Sequence, residues 1–299
     1  MARSSVLDEI RRLDPERDHQ RIVHLSTCYD FPFDTTRALE FALFRTFAVP
    51  AIAALLDRTG EFAQRAQKRY DDTDLIVSEL MEWGYASDRG RRALCRMNHL
   101  HGRFDIANDD FLYVLSTFIY EPVRWNQRFG WRLLAEQERL GYFHFWRQVG
   151  TRMGIRDIPA DYDAFERFNR EYERQHFRFS EPSRRVGLAT RELFVHWLPR
   201  PLAPVVRVFI HALLDEPLLE AFGFPRSPRL VRWLVLAGLR MRARLIGLLP
   251  PRRRPRLRTE ERHPSYPAGY VIEQIGPPDP KASGLDWPGS APAGERPEA

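Results

Sequence analysis

The sequence predicts an all-α fold, a single large helical domain followed by a disordered C-terminal tail. Three observations carry that reading. Apolar residues recur at spacings of three and four along the chain, the period of a helix that buries one face. Glycines and capping residues stand where these periodic runs begin and stop. No run of period-two alternation and no hairpin dipeptide marks a pair of strands.

The elements follow in order. TTRALEFALFRTFAVPAIAALLDRTG (35–60) has Thr35 or Thr36 as its N-cap and Gly60 as its stop, and Pro50 kinks or divides it. DTDLIVSELMEWG (72–84) repeats apolar residues at Leu75, Ile76, Leu80 and Trp83 and ends at Gly84. Ser87 is placed to cap the next helix. DDFLYVLSTFIYEPVRW (109–125) starts from Asn108 or Asp109. AEQERLGYFHFWRQVGTRMG (135–154) is a further amphipathic helix. DYDAFERFNREYERQHF (161–177) sets Tyr162, Phe165, Phe168 and Tyr172 on one face. Trp83, Trp125, Trp131, Trp146 and Trp197 read as core anchors.

With 299 residues, 43% of them hydrophobic, the chain is long enough for a sizeable core. It divides into an N-terminal extension (1–20), a helical domain (21–250) and a Pro/Arg-rich tail (251–299) with no core of its own. The net charge of +6 is carried almost wholly by arginine, since Lys68 and Lys281 are the two lysines. A solvated basic surface explains it. No nucleic-acid motif is present, and the aromatic residues stand at core spacing, so no nucleic-acid partner is expected. Cys28 and Cys95 make no disulfide framework. The N-terminus has no apolar signal-peptide core, and the chain reads as cytoplasmic. Its apolar run 230–249 carries four arginines and precedes PRRRPRLR. The 228–258 segment suits peripheral contact at the inner membrane face. A core helix with arginine stems on its outer face is the alternative, and the favoured one.

The stretch CRMNHLHGRF (95–104) holds two histidines two apart. On a helix such residues point about 200° apart, so His99 and His101 do not chelate one metal. Leu94, Met97, His101 and Phe104 form one apolar stripe, which turns His101 inward and His99 elsewhere. A buried neutral imidazole is either a hydrogen-bonded core residue or an axial haem ligand, and periodicity does not choose. Glu16 and His19 form a Glu-x-x-His pair without a second one, so a di-iron bundle is not supported. There is no HExxH, no cysteine cluster, no GxGxxG, no GxxxxGK[ST] and no GxSxG.

Four stretches together resemble one family: TGEFAQRAQKRYDDT (59–73), RRALCRMNHLHGRFDIANDDFLYVLSTFIYEPVRW (91–125), GWRLLAEQERLGYFHFWRQVGTRMGI (130–155) and, more weakly, YDFPFDTTRALEFALFRTFAVPAIA (29–53). They are similar to the MpaB-type and rubber oxygenase catalytic domain over roughly residues 20–220, closest to the fungal MpaB-like branch. The resemblance implies a haem-binding helical bundle, globin-like in broad class, and a haem b-dependent oxygenase. Its expected reaction is O2-driven cleavage of a C=C bond in an isoprenoid or other lipophilic unsaturated substrate. It places the axial iron ligand at His101 and leaves His99 without a counterpart. It puts the distal arginine and threonine at Arg69 and Thr73, with Arg69 donating to dioxygen or to a haem propionate. Arg69 as a salt-bridge partner and Thr73 as an N-cap are the alternatives. Rubber oxygenases carry a gating lysine where this chain has Asp72. A carboxylate does not replace a neutral amine ligand, so Asp72 accepts a proton, orients a distal water or pairs with an arginine. Arg124 and Arg132 are candidates to neutralise propionates, against ordinary surface arginines. The helices at 111–118 and 142–146 are expected to line an apolar channel. A non-catalytic helical scaffold or membrane-surface adaptor is the rival function.

Overall fold

The computed structural model describes residues 4–277. Among them all regular structure is helical, apart from an isolated bridge between His263 and Tyr266. Helices α1 (Ser4–Ile10) and α2 (His19–Leu25) begin the chain. Ile10 is fully buried against Ile22 and Leu25, so these residues join the main body instead of forming an extension. Helix α3 (Pro32–Phe47) opens at Pro32, not at Thr35 or Thr36. Proline at the first position has φ already set and lacks an N–H that the first turn leaves unpaired. The threonines lie inside α3, and Thr36 Oγ1 donates back to the Pro32 carbonyl at 3.0 Å. Pro50 divides the run. Helix α4 (Pro50–Thr59) starts there and stops at Gly60, whose φ of 69° suits glycine.

A short α5 (Glu61–Gln64) leads into α6 (Ala66–Trp83) and α7 (Asp88–His101), an antiparallel hairpin. Gly84 turns the chain with φ 78°, and Ser87 caps α7 by accepting from the Gly90 N–H at 2.9 Å. A Cβ on Gly90 would stand 2.0 Å from the Gly84 carbonyl oxygen, so this hairpin closes only with glycine there. Then come α8 (Asn108–Phe129), α9 (Glu136–Arg152), α10 (Tyr162–His176), α11 (Glu181–His196), α12 (Ala203–Leu213), α13 (Glu216–Phe222) and α14 (Arg229–Leu248). Asn108 does not cap α8. Its amide instead clasps Arg156, accepting from the backbone N–H at 2.9 Å and donating to the carbonyl at 3.2 Å.

The main core lies between α6, α7, α8, α9 and α10, around Leu80, Ile119, Phe145, Val149 and Phe165. The periodic face of α10 enters it as the spacing requires. A second core joins α3 to α11 and α13 through Phe44, Phe47, Leu218 and Phe222. Trp125 and Trp146 are buried, but Trp83 and Trp197 are each 39% exposed and are not core anchors. Their indole N–H groups donate to the buried Thr259 and to the half-buried Gln67.

Two further expectations are corrected. Residues 251–277 are not a free tail; they run back over α6 and α7 and bury Ile272 and Ile275 in the body's core. Composition marks them as coreless because they borrow a core from the hairpin. The rest of the expected tail, 278–299, lies outside the described residues. Helix α14 does turn Arg229, Arg240 and Arg244 outward, as the favoured reading has it, but it is not a core helix, since Ala243 is its one buried residue. Beside those arginines the exposed side carries Leu230, Trp233, Leu234, Met241, Leu245 and Leu248. Among the described residues no single helix is long and apolar enough to cross a membrane.

The returning segment is held by a charge cluster. Arg258 donates to Asp74 at 2.5 Å, His263 Nε2 meets the same carboxylate at 3.1 Å, and Thr259 and the Arg258 N–H bond Glu82. Burial pushes the Asp74 carboxyl up, but His263 and Arg258 outweigh it and hold it below the usual range. Burial pushes the His263 imidazole down, yet Asp74 outweighs it and raises the group. Burial pushes Glu82 up to about 7. Raised groups contribute stability at low pH and lose it as pH rises through their folded values. Asp74, being lowered, loses its contribution as pH falls below its usual 3.8. Docking of 256–277 is therefore expected to be tightest between those limits and to loosen from pH 6 to pH 8, roughly spanning the histidine range. Hydrogen exchange of the Arg258–Ile275 amides at the two pH values checks this; equal protection would refute it.

Candidate functional site

The α6–α7 hairpin places the site. From Trp83 back to Arg69 is fourteen residues, and from Asp88 on to His101 is thirteen. At about 1.5 Å per residue the two side chains sit at the same height, roughly 20 Å from the turn. Electrostatics agree, because the Arg69 charge acts on His101.

His101 ends α7 with its ring edge-on to Phe111, centroids 5.5 Å apart. The residue is half-buried, yet its Nδ1 has no exposed surface and no hydrogen-bond partner. Burial, and then the Arg69 charge, push the imidazole down to about 4. It is neutral at physiological pH. A satisfied core histidine would have Nδ1 paired, as His19 does: its Nδ1 meets the Glu16 carbonyl at 2.7 Å and its Nε2 the Tyr85 hydroxyl at 2.5 Å. That pairing also removes Glu16 and His19 as a metal pair. His99 is exposed and its Nε2 accepts from Arg103 at 3.1 Å.

Arg69 and Thr73 lie one turn apart on α6. The Arg69 guanidinium donates to Thr73 Oγ1, which donates to the Arg69 carbonyl at 3.1 Å. Thr73 is inside the helix and is no cap. The guanidinium lies over Phe62, 5.6 Å from the ring centroid, and makes no ion pair among the described residues. Burial lowers its pKa, and Asp72 and Glu61 only partly offset that. A half-buried cation without a bound carboxylate is costly, and the Thr73 and Phe62 contacts are what this group has in its place.

Asp72 points away from that pair. Its carboxylate is bound by Lys68 at 2.8 Å and by the Tyr266 hydroxyl at 2.5 Å, and Lys68 also donates to the Gly276 carbonyl at 3.0 Å. The neighbouring Asp71 accepts from the Ser265 N–H at 2.9 Å. Both acids fasten the returning C-terminal segment to α6. Of the three options the sequence left for Asp72, pairing with a cation is the one observed, with lysine in place of arginine.

Arg69 and Thr73 line a cavity of about 20 Å3 with Glu40, Leu43, Phe62 and Phe194. Glu40 is buried, accepts from the Tyr70 hydroxyl at 2.7 Å and pairs with Arg37 at 2.7 Å. Burial pushes its carboxyl up to about 7, against the pull of Arg37 and Tyr70. Sequence reasoning missed Glu40 and Tyr70. The available signal was an acid inside the apolar run ALEFALF.

Two expectations do not hold. Arg124 bonds Glu121 at 2.8 Å and Asn169 at 2.7 Å, and Arg132 bonds Asp30 and Glu138 at 2.5 Å. Protein groups occupy both guanidiniums, so neither is free for a propionate and neither is a plain surface arginine. The helices at 111–118 and 142–146 fill the main core, with Leu115, Phe143 and Trp146 buried, and the cavity beside Arg69 is walled by α3, α5, α6 and α11 instead. Among the described residues no three His, Cys, Asp or Glu side chains gather to hold a metal ion.

Comparison with known proteins covers the region that holds this hairpin. Residues 38–246 match the family model described as ER-bound oxygenase mpaB/B'/Rubber oxygenase, catalytic domain. The chain is 30% identical over 210 residues to the ER-bound oxygenase mpaB of Penicillium roqueforti, covering 64% of this chain and 70% of that protein. It is 29% identical over 210 residues to the ER-bound oxygenase mpaB' of Penicillium brevicompactum, again 64% of this chain but 50% of the relative. A third relative, the mpaB of Penicillium brevicompactum, is 36% identical over 145 residues, 46% of this chain and 37% of its own length. The chain thus spans half or less of two of these three relatives.

Proposed function

Because the chain belongs to the ER-bound oxygenase MpaB/rubber oxygenase catalytic-domain family, we propose that it is a haem b-dependent oxygenase. Its reaction is the oxidative cleavage of a C=C bond in an isoprenoid or other lipophilic unsaturated molecule with O2. The observation that carries the reading is the pairing of an unpartnered imidazole and a cation without a carboxylate partner at one height of the hairpin. These are the neutral His101 imidazole with Nδ1 unpartnered, and the half-buried Arg69 without an ion pair among the described residues. A neutral imidazole is the donor an axial haem site needs. A buried guanidinium fits a propionate or an oxygen atom gaining charge.

Haem b, when bound, supplies the dioxygen chemistry. The chain's residues do the rest. His101 offers its lone pair and stays unprotonated across the physiological range. Arg69 offers hydrogen bonds, and Thr73 Oγ1 fixes the guanidinium's direction. Glu40 holds a proton near neutral pH beside the same cavity. Asp72 acts at one remove, by tying the C-terminal segment to α6. The cavity of about 20 Å3 has room for about one water, so a macrocycle or an apolar chain is admitted only as Phe62, Phe194 and their neighbours move. The lipophilic substrate and O2 are the partners of this reading, and peripheral membrane contact through 228–258 is its setting.

The test is an absorption and pyridine haemochrome measurement on protein expressed with a haem precursor. One haem b per chain and a Soret band are expected, followed by carbonyl products from prenylated substrates. A folded helical protein that takes up no haem refutes the reading and favours the scaffold or adaptor.

A further inference from the structure

Among the described residues seventeen large apolar side chains are exposed, and thirteen of them fall between Trp197 and Leu249. They are not scattered. Helix α12 exposes Val205, Val208 and Phe209, at the spacing of one helical face, and it packs against α14. Helix α14 exposes Leu230, Trp233, Leu234, Met241, Leu245 and Leu248, again one face. The opposite side of α14 is already tied to the body. Arg242 pairs with Asp34 at 2.9 Å and lies 3.8 Å from the Phe33 ring centroid, while Leu236 and Leu239 meet Trp125 and Phe129. Among the described residues nothing covers the outer apolar side chains, and a patch of this kind marks an interaction surface.

Charge decides the occupant. Between residues 226 and 258 there are eleven arginines and no acidic residue. Arg229, Arg240, Arg244, Arg253 and Arg254 make no ion pair among the described residues. A second copy of the same face would bring these cations against their own kind across a two-fold axis. An anionic bilayer satisfies both features, with acyl chains for Trp and Leu and phosphates for guanidinium groups.

We propose that α12 and α14 lie in the plane of an anionic lipid surface and dock the protein on it, with Trp197 at the lipid boundary. Trp197 is half-exposed at the end of α11. Its ring stands 4.9 Å from both Tyr70 and Phe194, centroid to centroid, and these two line the cavity with Arg69 and Thr73. Docking thereby sets the aromatic end of the cavity against the phase in which a lipophilic substrate dissolves. This deepens the membrane contact of the proposed function; only the role in substrate delivery rests on the oxygenase reading.

The test is flotation of the full chain with vesicles of phosphatidylcholine, alone or mixed with phosphatidylglycerol. Haem content is read in the same samples. The protein is expected to float with the anionic vesicles and to be released by salt. Arg240→Glu with Arg244→Glu should weaken partitioning at least ~10-fold, since each cation near the surface matters. Trp233→Glu with Leu234→Glu should abolish it, and both pairs are exposed and should leave the helical spectrum unchanged. Brominated lipid should quench the tryptophan fluorescence less in Trp233→Phe and in Trp197→Phe than in the wild type. A wild type that does not float, floats equally with neutral vesicles, or forms a dimer that the Trp233/Leu234 variant disrupts would overturn the proposal. A haem-free protein that floats overturns the oxygenase reading alone, and a haem-loaded one that does not float overturns the docking alone.

Discussion

His101→Ala is expected to abolish the Soret absorbance that the wild type acquires with haem, while His99→Ala retains it. The two residues are two apart on one helix, yet they differ in everything ligation requires. His99 is exposed and its Nε2 is taken by Arg103. His101 is turned inward, neutral, and has an unpartnered Nδ1. The thermal profile separates a ligand from a packing residue. A paired core histidine, when removed, leaves its partner unsatisfied at a cost of about 1–3 kcal/mol. His101 Nδ1 has no partner to strand, so the haem-free mutant should melt close to the haem-free wild type. Haem should then raise the midpoint of the wild type alone, by about 4 kcal/mol of stabilisation at a thousandfold excess over Kd. A Soret band that survives in His101→Ala would overturn the assignment, whatever the melting curves show.

Arg45→Ala should give the largest loss of stability of any single substitution away from the site, about 3–5 kcal/mol, because it breaks a buried ion network by removing one partner. Arg45 on α3 reaches Glu173 on α10 at 2.6 Å through Nε and Asp215 at the start of α13 at 2.7 Å through Nη1. Glu121 on α8 stands 3.5 Å away, and the guanidinium lies over Phe177. Removing it leaves Glu173 without its ion-pair partner in a largely dry space, while Glu121 keeps Arg124. The melting midpoint should fall by on the order of 10 °C. Glu173→Gln in the same chain should return part of the loss, since the stranded charge is then gone. A fall below about 2 °C would show that water already screens these carboxylates. The consequence reaches the site, because α3 also carries Glu40, Leu43 and Phe47 on the cavity wall.

Much of this was legible in the chain itself. The hairpin ends at Gly84 and Ser87, the break at Pro50, the buried face of α10 and the inward turn of His101 follow from local backbone preference and helical period, which act within one or two turns. Thr73 was ambiguous locally, because a threonine before an apolar run reads as a cap until the preceding turn is known to be helical. Asp72, Arg124 and Arg132 were ambiguous for another reason. A charged side chain takes whichever partner the fold brings near, and those partners are 6 to 194 residues distant in sequence where they are not on the same helix.

The sequence by itself determined the helical class, the element boundaries set by proline and glycine, and which of two histidines faces inward. Each depends on atoms a few residues apart. The tertiary structure alone decided that Arg69 stands level with His101, that Glu40 joins the cavity, and that residues 251–277 belong to the body. It also decided that α14 exposes apolar side chains beside its arginines. Period shows that a helix has two faces, but only packing shows which one the body has already covered, here through Arg242, Leu236 and Leu239.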